Sequence, residues 1–534
     1  MLFPYKKTYY PSILQQNKTH LGLEMDPVML GSCVLLALLT SILWYKWNRG
    51  GKTLPLPPGP RGVPILGYLP FMGADMLQHL THLSHHYGPI YKLRLGSRLA
   101  VVITSPSLLK QVVRDQDHIF AYRDATVAAL TYSRGARDVV FSPPNSSWRA
   151  MRKVLVSETQ SGSSLHASRE LRKDQIRKAV RSIYSKIGRP VAYGELAFQT
   201  EVSLLMNLMW GGVDSDSAGE LERERLGTQF RALTSSLNYL LGKPNVSDLF
   251  PLLSRFDLQG VKKQMGKVVD SIDNILDHFI SQHEKLSGAF NSEGRKDFLQ
   301  IVLEHKEKKD SDLPTLSRDQ IKTLLIEIII GGSETSATTV DFAMSELLNR
   351  PEAMEKVQKE LSEVVGMNNI VEESHLPKLH FLDAVIKETL RLHPPVPFLV
   401  PRAPLHSSSV GGYTIPKGTK ILLNVWAIHR DPSIWDNPEE FRPERFLEDS
   451  RNLNFKGNDF ELIPFGSGRR MCPGIPLAER MVAYLLASFL HSFDWKLTDG
   501  KKLDMSVTLG IVLQKTSSSI AIPTPRLSND NLYM

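Results

Sequence analysis

Cys472 is one of two cysteines in 534 residues, and it sits in a dense motif. The segment Phe465-Gly466-Ser467-Gly468-Arg469-Arg470-Met471-Cys472-Pro473-Gly474 has the form F-x-x-G-x-R-x-C-x-G. Apolar and helix-forming residues run from Ile475 to Phe493. A helix is therefore expected just after the cysteine, with Pro473 at its first position, where a missing N–H costs nothing. That places the sulfur at a positive helix end, which favours the thiolate, the form in which cysteine binds a metal. Gly466, Gly468 and Gly474 permit tight turns and close approach to a flat ligand. A lone cysteine is more often an inert core residue. Here every spaced position of the motif is filled, and that tips the reading.

A second constellation lies in residues 317–350. Ser317 and Gln320 form a capping box that starts a helix, and Pro351 limits its far end. Gly331 and Gly332 interrupt the helix interior, at roughly 1 kcal/mol each relative to Ala. Either they allow tight packing against a neighbour, or they let a large ligand and a diatomic gas approach the backbone. Glu388 and Arg391 are three residues apart on one helix face. An exposed pair of that kind contributes under about 1 kcal/mol.

Taken together, these motifs resemble the cytochromes P-450, along essentially all of residues 25–525. The resemblance implies haem b, with Cys472 as the axial thiolate of its iron. Such a ligand pushes electron density onto the metal and favours O–O cleavage. Phe465, Gly468 and Gly474 then shape the haem loop. Gly331-Gly332-Ser333-Glu334-Thr335-Ser336 resembles the family's oxygen-activation segment, so Glu334 and Thr335 become the catalytic proton relay. Many members carry Asp and then Thr-Thr; Glu334 and Ser336 keep the functional groups. Glu388 and Arg391 match the family's buried E-x-x-R pair. Phe441-Arg442-Pro443-Glu444-Arg445-Phe446 matches the loop that adds Arg445, in a structural role. Trp148-Arg149-Ala150-Met151-Arg152 resembles the W-x-x-x-R helix. Trp148, Arg152, Arg402 and Arg470 are thereby candidates to hold the propionates, as arginine suits bidentate carboxylate contacts. By position, the substrate pocket draws on Ile328, Gly331, Val396, Phe398, Leu399 and Ile511. Their apolar character suits a hydrophobic substrate, although apolar residues are also ordinary core.

The elements that must position these residues read as follows. Residues 90–104 alternate and break at Gly96-Ser97, a β-hairpin. Residues 411–425 read as another short strand pair around Pro416-Lys417-Gly418. Segments 165–187, 265–286, 317–350 and 352–365 have helical periodicity. The run Lys306-Glu307-Lys308-Lys309-Asp310 reads as a solvated loop. The fold class expected is mainly α with small β-sheets, the cytochrome P-450 fold, with an N-terminal transmembrane helix.

Four regions are expected: an extension (1–24), an anchor (25–47), a basic and proline-rich hinge (48–67) and a haem-thiolate catalytic domain (68–534). Pro27 to Tyr45 is uncharged but for its flanks and just long enough to span a bilayer. Lys46, Arg49 and Lys52 follow and favour a cytosolic catalytic domain. Cys33 falls in this apolar stretch and is read as inert. A cleaved signal peptide is the competing reading, but the run is long and lacks a small-x-small site. Lys6, Lys7 and Lys18 in the extension blur the charge asymmetry. Leu54-Pro55-Leu56-Pro57-Pro58-Gly59-Pro60 is a stiff spacer. The 64 basic and 56 acidic residues give a net charge of +8, spread along the chain. That suits a lipid bilayer or an acidic protein partner and argues against nucleic acid. Two cysteines exclude a disulfide framework.

The resemblance implies a monooxygenase that inserts one atom of O2 into a hydrophobic molecule at the endoplasmic reticulum membrane. No nicotinamide fingerprint is present, so NADPH must act through a separate cytochrome P-450 reductase. Lys153 and Arg469 are candidates to meet its acidic face. The hinge, the Gly331–Ser336 spelling and Gly242-Lys243-Pro244-Asn245-Val246-Ser247-Asp248 look most like plant microsomal members that oxidise terpenoids and phenolics. The group with sesquiterpene (cadinene-type) hydroxylases is the nearest impression. A flavonoid or phenolic hydroxylase is the alternative, then a reductase-independent rearranging member. A non-enzymatic haem binder and a haem-free membrane scaffold are the other classes.

Overall fold

The computed structural model describes residues 55–73, 75–211, 217–286, 296–307, 314–448, 451–498 and 500–534, together with residues 32, 35 and 39. The chain divides into Met1–Thr53 and Leu54–Met534. The expected extension, the anchor with Cys33 and the first part of the hinge fall outside the described residues, apart from those three positions. Among the described residues no helix is long and apolar enough to cross a membrane.

The second unit is mainly helical with small sheets. Its longer helices are α1 (Met76–Tyr87), α2 (Ser146–Thr159), α3 (Arg169–Tyr184), α4 (Tyr193–Trp210), α5 (Ser217–Gly242) and α6 (Val261–Leu286). There follow α7 (Phe298–Glu307), α8 (Arg318–Leu348), α9 (Pro351–Val364), α10 (His380–Leu392) and α11 (Ile475–Ser492). Helix α8 is the spine. Ser317 caps it, with both halves of the capping box formed. Most of its length is buried, against α4, α10 and α11. Burying each such Leu, Ile or Phe stabilises the fold by about 1.5–3 kcal/mol. Helices α4 and α8 run antiparallel and close. A Cβ on Gly194 would lie 2.7 Å from Asp341, and one on Gly332 would lie 2.9 Å from Leu205 Cδ1.

The strands are β1 (Ile90–Leu95), β2 (Arg98–Ile103), β3 (Tyr122–Arg123), β4 (Val191–Ala192), β5 (Arg402–Ala403) and β6 (Ser408–Val410). The others are β7 (Tyr413–Ile415), β8 (Lys420–Leu423), β9 (Phe493–Leu497), β10 (Val507–Leu509), β11 (Leu513–Lys515) and β12 (Ile520–Pro525). The largest sheet has the order β1-β2-β8-β5-β3. The 90–104 hairpin forms as expected, with Gly96 at φ 60° in its turn. The 411–425 pair does not. Strand β7 pairs with β6, and β8 leaves to lie parallel to β2. Alternation marks a strand but not its partner, and the two apolar edges found different sheets. The 165–187 helix is broken at Ser168, whose hydroxyl donates to Ser164 O at 2.7 Å and ends the preceding turn. Lys306 and Glu307 close helix α7 rather than open a loop; residues 308–313 are not described.

The described part of the hinge is docked, not free. Pro58 O accepts from Lys92 N at 2.7 Å, and Pro55 O accepts from Thr414 N at 3.1 Å. Gly59 is required there, because a Cβ would run into Lys92 O.

Candidate active site

The cysteine loop is a tight wrap. Cys472 N donates to Phe465 O at 3.0 Å, and Gly466 and Gly468 sit at φ 72° and 70°. A Cβ on Gly468 would also collide with Val113 O, so this position needs glycine twice over. Phe465 packs edge-on to Phe455 with centroids 5.4 Å apart. Helix α11 begins at Ile475 with Gly474 as N-cap, not at Pro473; Pro476 takes the proline-tolerant first turn. The sulfur therefore lies ahead of the helix and is reached by one N–H, from Gly474 at 3.4 Å. In the protein alone, burial pushes the Cys472 thiol up, against the opposing pull of that N–H and of Arg152. The expected anionic sulfur thus needs a cation. A bound metal ion deprotonates a coordinating thiol outright.

Buried arginines gather beside this loop. Arg402 on β5 donates to Asp117 Oδ1 at 3.0 Å and Ser467 O at 2.7 Å. Arg470 donates to Ala121 O at 2.7 Å, Val139 O at 2.9 Å and Ser142 O. Arg123 on β3 donates to Val400 O, and its buried Nε has no partner. Burial depresses all three guanidinium groups, Arg470 to about 10, and repulsion from Arg402 adds to the fall at Arg123 and Arg470. Asp117 and Asp138 are the opposing charges. Packed like charges with an orphaned donor suit an added dianion, and two propionates meet that need. Arg123 escaped sequence reading because a two-residue strand has no spacing signature.

Two expected propionate partners are committed elsewhere. Trp148 Nε1 donates to Val139 O at 2.9 Å, so its ring serves as a platform, 4.8 Å from Arg470 Cζ and 5.7 Å from Arg152 Cζ. Arg152 Nη2 donates to Met471 O at 2.8 Å, holding the residue before Cys472.

The two glycines of α8 do different work. Gly332 packs on Leu205, whereas a side chain at Gly331 would meet nothing and its backbone is exposed. The packing reading fits Gly332, and Gly331 leaves its backbone open. Thr335 Oγ1 is one turn on and donates to Gly331 O at 2.7 Å. Glu334 accepts from Asn238 on α5 and Gln514 on β11. Burial pushes its carboxyl up, and these two donors only partly offset it. A further acidic site on α8 went unread. Glu327 accepts from Val139 N at 2.9 Å and Val140 N at 3.0 Å, beside Asp138. Burial raises both carboxyls.

Of the expected pocket residues, Ile328, Val396, Leu399 and Ile511 are half-buried. Leu399, at φ 50°, lies against Gly466 of the cysteine loop. Phe398 is displaced from the expectation. It is 7% exposed and packs with Phe342, Trp426 and Leu513 in a core cluster, in a turn that Leu399 leaves with a positive φ. Gly242 abuts Ile511, which brings the β10–β11 turn to the end of α5.

Glu388, Arg391 and Arg445 come together fully buried. Arg391 grips Glu388 with two bonds of 2.7 and 2.8 Å, and Arg445 Nε adds a third at 3.0 Å. Arg391 also donates to His429 O, Pro438 O and Glu440 O. His429, held neutral by burial with its pKa at about 3, accepts from Ile463 N at 3.3 Å. The cluster is thereby tied to the chain entering the cysteine loop.

A cysteine in a tight glycine-bearing wrap beside buried, carboxylate-seeking arginines fits a haem-thiolate protein. The family model described as cytochrome P-450 matches residues 57–522, and the chain belongs to that family. It is thus a haem-thiolate monooxygenase by class, which takes electrons from a reductase. It is similar to geraniol 8-hydroxylase of Swertia mussotii, at 39% identity over 91% of this chain and 97% of that one. It is also similar to ferruginol synthase of Isodon rubescens, at 39% over 87% and 93%. Carnosic acid synthase of Salvia pomifera is 36% identical over 91% and 98%. A zebra fish cytochrome P-450 solved with progesterone superposes with a TM-score of 0.70 at 24% identity, over 85% of this chain and all of that one. That last likeness concerns the fold alone.

Proposed function

We propose that this protein hydroxylates a terpenoid, with Cys472 as the thiolate ligand and Glu334 and Thr335 as the proton path. The observation that carries the reading is the gathering of the buried Arg123, Arg402 and Arg470 beside the tight Cys472 loop. Bound haem b supplies O2 activation, fed by two electrons from NADPH through a separate reductase.

The chain's own residues do the rest. Arg402 and Arg470 would hold the propionates of bound haem, with Arg123 as a third donor. Phe465, Gly468 and Gly474 keep the sulfur fixed. Gly331 would leave room for a bound ligand to approach the helix backbone, and Ile328, Val396, Leu399 and Ile511 would offer an apolar wall. Glu334 carries a proton readily because burial raises its affinity for one. Asn238 and Gln514 occupy both carboxylate oxygens of Glu334, and Thr335 Oγ1 is bound to Gly331 O, so transfer between them would need a water or a released amide. Glu388, Arg391 and Arg445 act structurally, through His429 and Ile463.

A membrane setting is supported by exposed apolar residues. Ile65, Leu66 and Phe71 lie on one side of the β1–β2 turn, and Leu252, Phe256 and Leu258 on the other. The turn joins them: Gly96 N donates to Leu66 O, and Ser97 N to Leu249 O, both at 3.0 Å. A patch of that kind on a soluble surface marks contact with lipid or protein. The exposed Lys153 and Arg469 suit the reductase.

The relatives' names point to monoterpene and diterpene chemistry, and a sesquiterpene fits the same apolar wall. The test is microsomes holding this protein and a plant reductase, offered in turn a monoterpenol, a sesquiterpene, a diterpene and a flavanone. An oxidised terpenoid is the expected product. Oxidation of the flavanone alone would move the function to phenolics.

A further inference from the structure

A second cavity, of about 320 Å³, opens among the ends of α8 and α10 and the segment before β10. Its lining includes Glu346, Arg350, His393, Arg430, Glu439 and Lys502. Nothing in the proposed chemistry uses it. Two of its side chains are more than nine-tenths buried and each has an atom without a partner: His393 Nδ1 and Arg430 Nη1. Such orphans are costly unless something fills them.

The partners already in place define what is missing. His393 Nε2 meets Glu346 Oε1 at 2.6 Å, and the other carboxylate oxygen takes Arg350. The Glu346 carboxyl is held below its usual range by these partners. A carboxylate only accepts, so His393 carries its proton on Nε2. Burial keeps the ring neutral, which leaves Nδ1 as an acceptor seeking a donor. Arg430 is fixed by stacking on Trp426 at 3.4 Å and by Glu439 at 3.1 Å, leaving Nη1 as a donor. Three cations (Arg350, Arg430, Lys502) face two carboxylates (Glu346, Glu439), so one positive charge is in excess.

We propose that this cavity binds a small oxyanion that retains an O–H, either hydrogen phosphate or a phosphate ester of a polyol. Its O–H donates to His393 Nδ1, and its charged oxygens accept from Arg430 and Lys502. Occupancy is felt at the haem loop, because Arg430 and His393 adjoin Arg391 and His429.

The test is the thermal midpoint of the haem-loaded full chain in detergent, titrated at constant ionic strength. The titrants are sodium phosphate, glycerol phosphate and sodium sulfate. Phosphate and glycerol phosphate are expected to raise the midpoint saturably by mass action. Tighter glycerol phosphate assigns the site to esters, and equal affinity assigns it to the free ion. Sulfate, which has no O–H, is expected to bind about tenfold more weakly. Lys502→Glu, on the exposed rim, should weaken phosphate about tenfold and leave the unliganded midpoint in place. Arg430→Gln should abolish the shift. No saturable shift, equal binding of sulfate, or an unchanged response in Lys502→Glu each overturns the proposal and leaves a hydrated cavity.

Discussion

Glu334 and Glu201 show how burial sets the behaviour of single carboxyls. Glu334 keeps two amide partners, so it is poised to exchange a proton. Replacing it with Ala should lower product formation about 100-fold, in line with the loss of one general acid–base group. The CO spectrum of the reduced protein should not change, which separates proton delivery from haem loading. Unchanged turnover would remove Glu334 from the relay. Glu201 on α4 is 2% exposed, its Oε1 has no partner, and burial pushes it well above the usual carboxylate range. The fold therefore holds a proton that the unfolded chain releases. Below the unfolded pKa of about 4.3 both states are protonated and nothing is lost. As pH rises past it, stability falls until Glu201 itself ionises. Glu201→Gln should thus raise the thermal midpoint, by a margin that grows from acid to neutral pH. A margin that shrinks over that range would contradict the assignment.

At the scale of elements, the paired glycines of α8 make separable predictions. Gly332→Ala drives a methyl to within 2.9 Å of Leu205 and should destabilise, with Leu205→Val restoring much of the loss. Gly331→Ala meets nothing, so it should stabilise the helix by up to about 1 kcal/mol. It should also weaken binding of the bulkiest terpenoid, read by optical titration of the haem-loaded protein. The buried Glu388 cluster predicts a harsher result. Arg391→Ala leaves Glu388 with only Arg445 and the Arg442 N–H and takes the donor from His429 O and Pro438 O, at a cost of about 3–5 kcal/mol, seen as lost holoprotein and a lower thermal midpoint. Arg445→Ala should cost less, since Arg391 keeps both of its bonds to Glu388. These features were legible at different depths. Cys472, Glu388, Arg391 and Arg445 stood out because local spacing and a family resemblance carry them. Arg123, Asn238, Gln514 and the Asp138–Glu327 pair did not, because strands and helices distant in the chain create them. The 411–425 strands were found but mispaired, since pairing is a tertiary choice. The start of α11 was misplaced by two residues because two prolines, Pro473 and Pro476, both suit a first turn.

For the molecule as a whole, the arginines join β3, β5 and the cysteine loop into one cationic recess. Fold class and family were readable from motifs in order along the chain. The substrate was not, because pocket shape depends on segments packed from distant places in the sequence. The central claim is that this arrangement inserts one oxygen atom from O2 into a hydrophobic terpenoid. The most direct measurement is NADPH-dependent turnover of the preferred terpenoid, with reductase-containing membranes under isotope-labelled O2. The account requires one labelled oxygen in each hydroxylated product, none from labelled water, and no product from Cys472→Ser. Product formed without NADPH and reductase, or carrying oxygen from water, would contradict it.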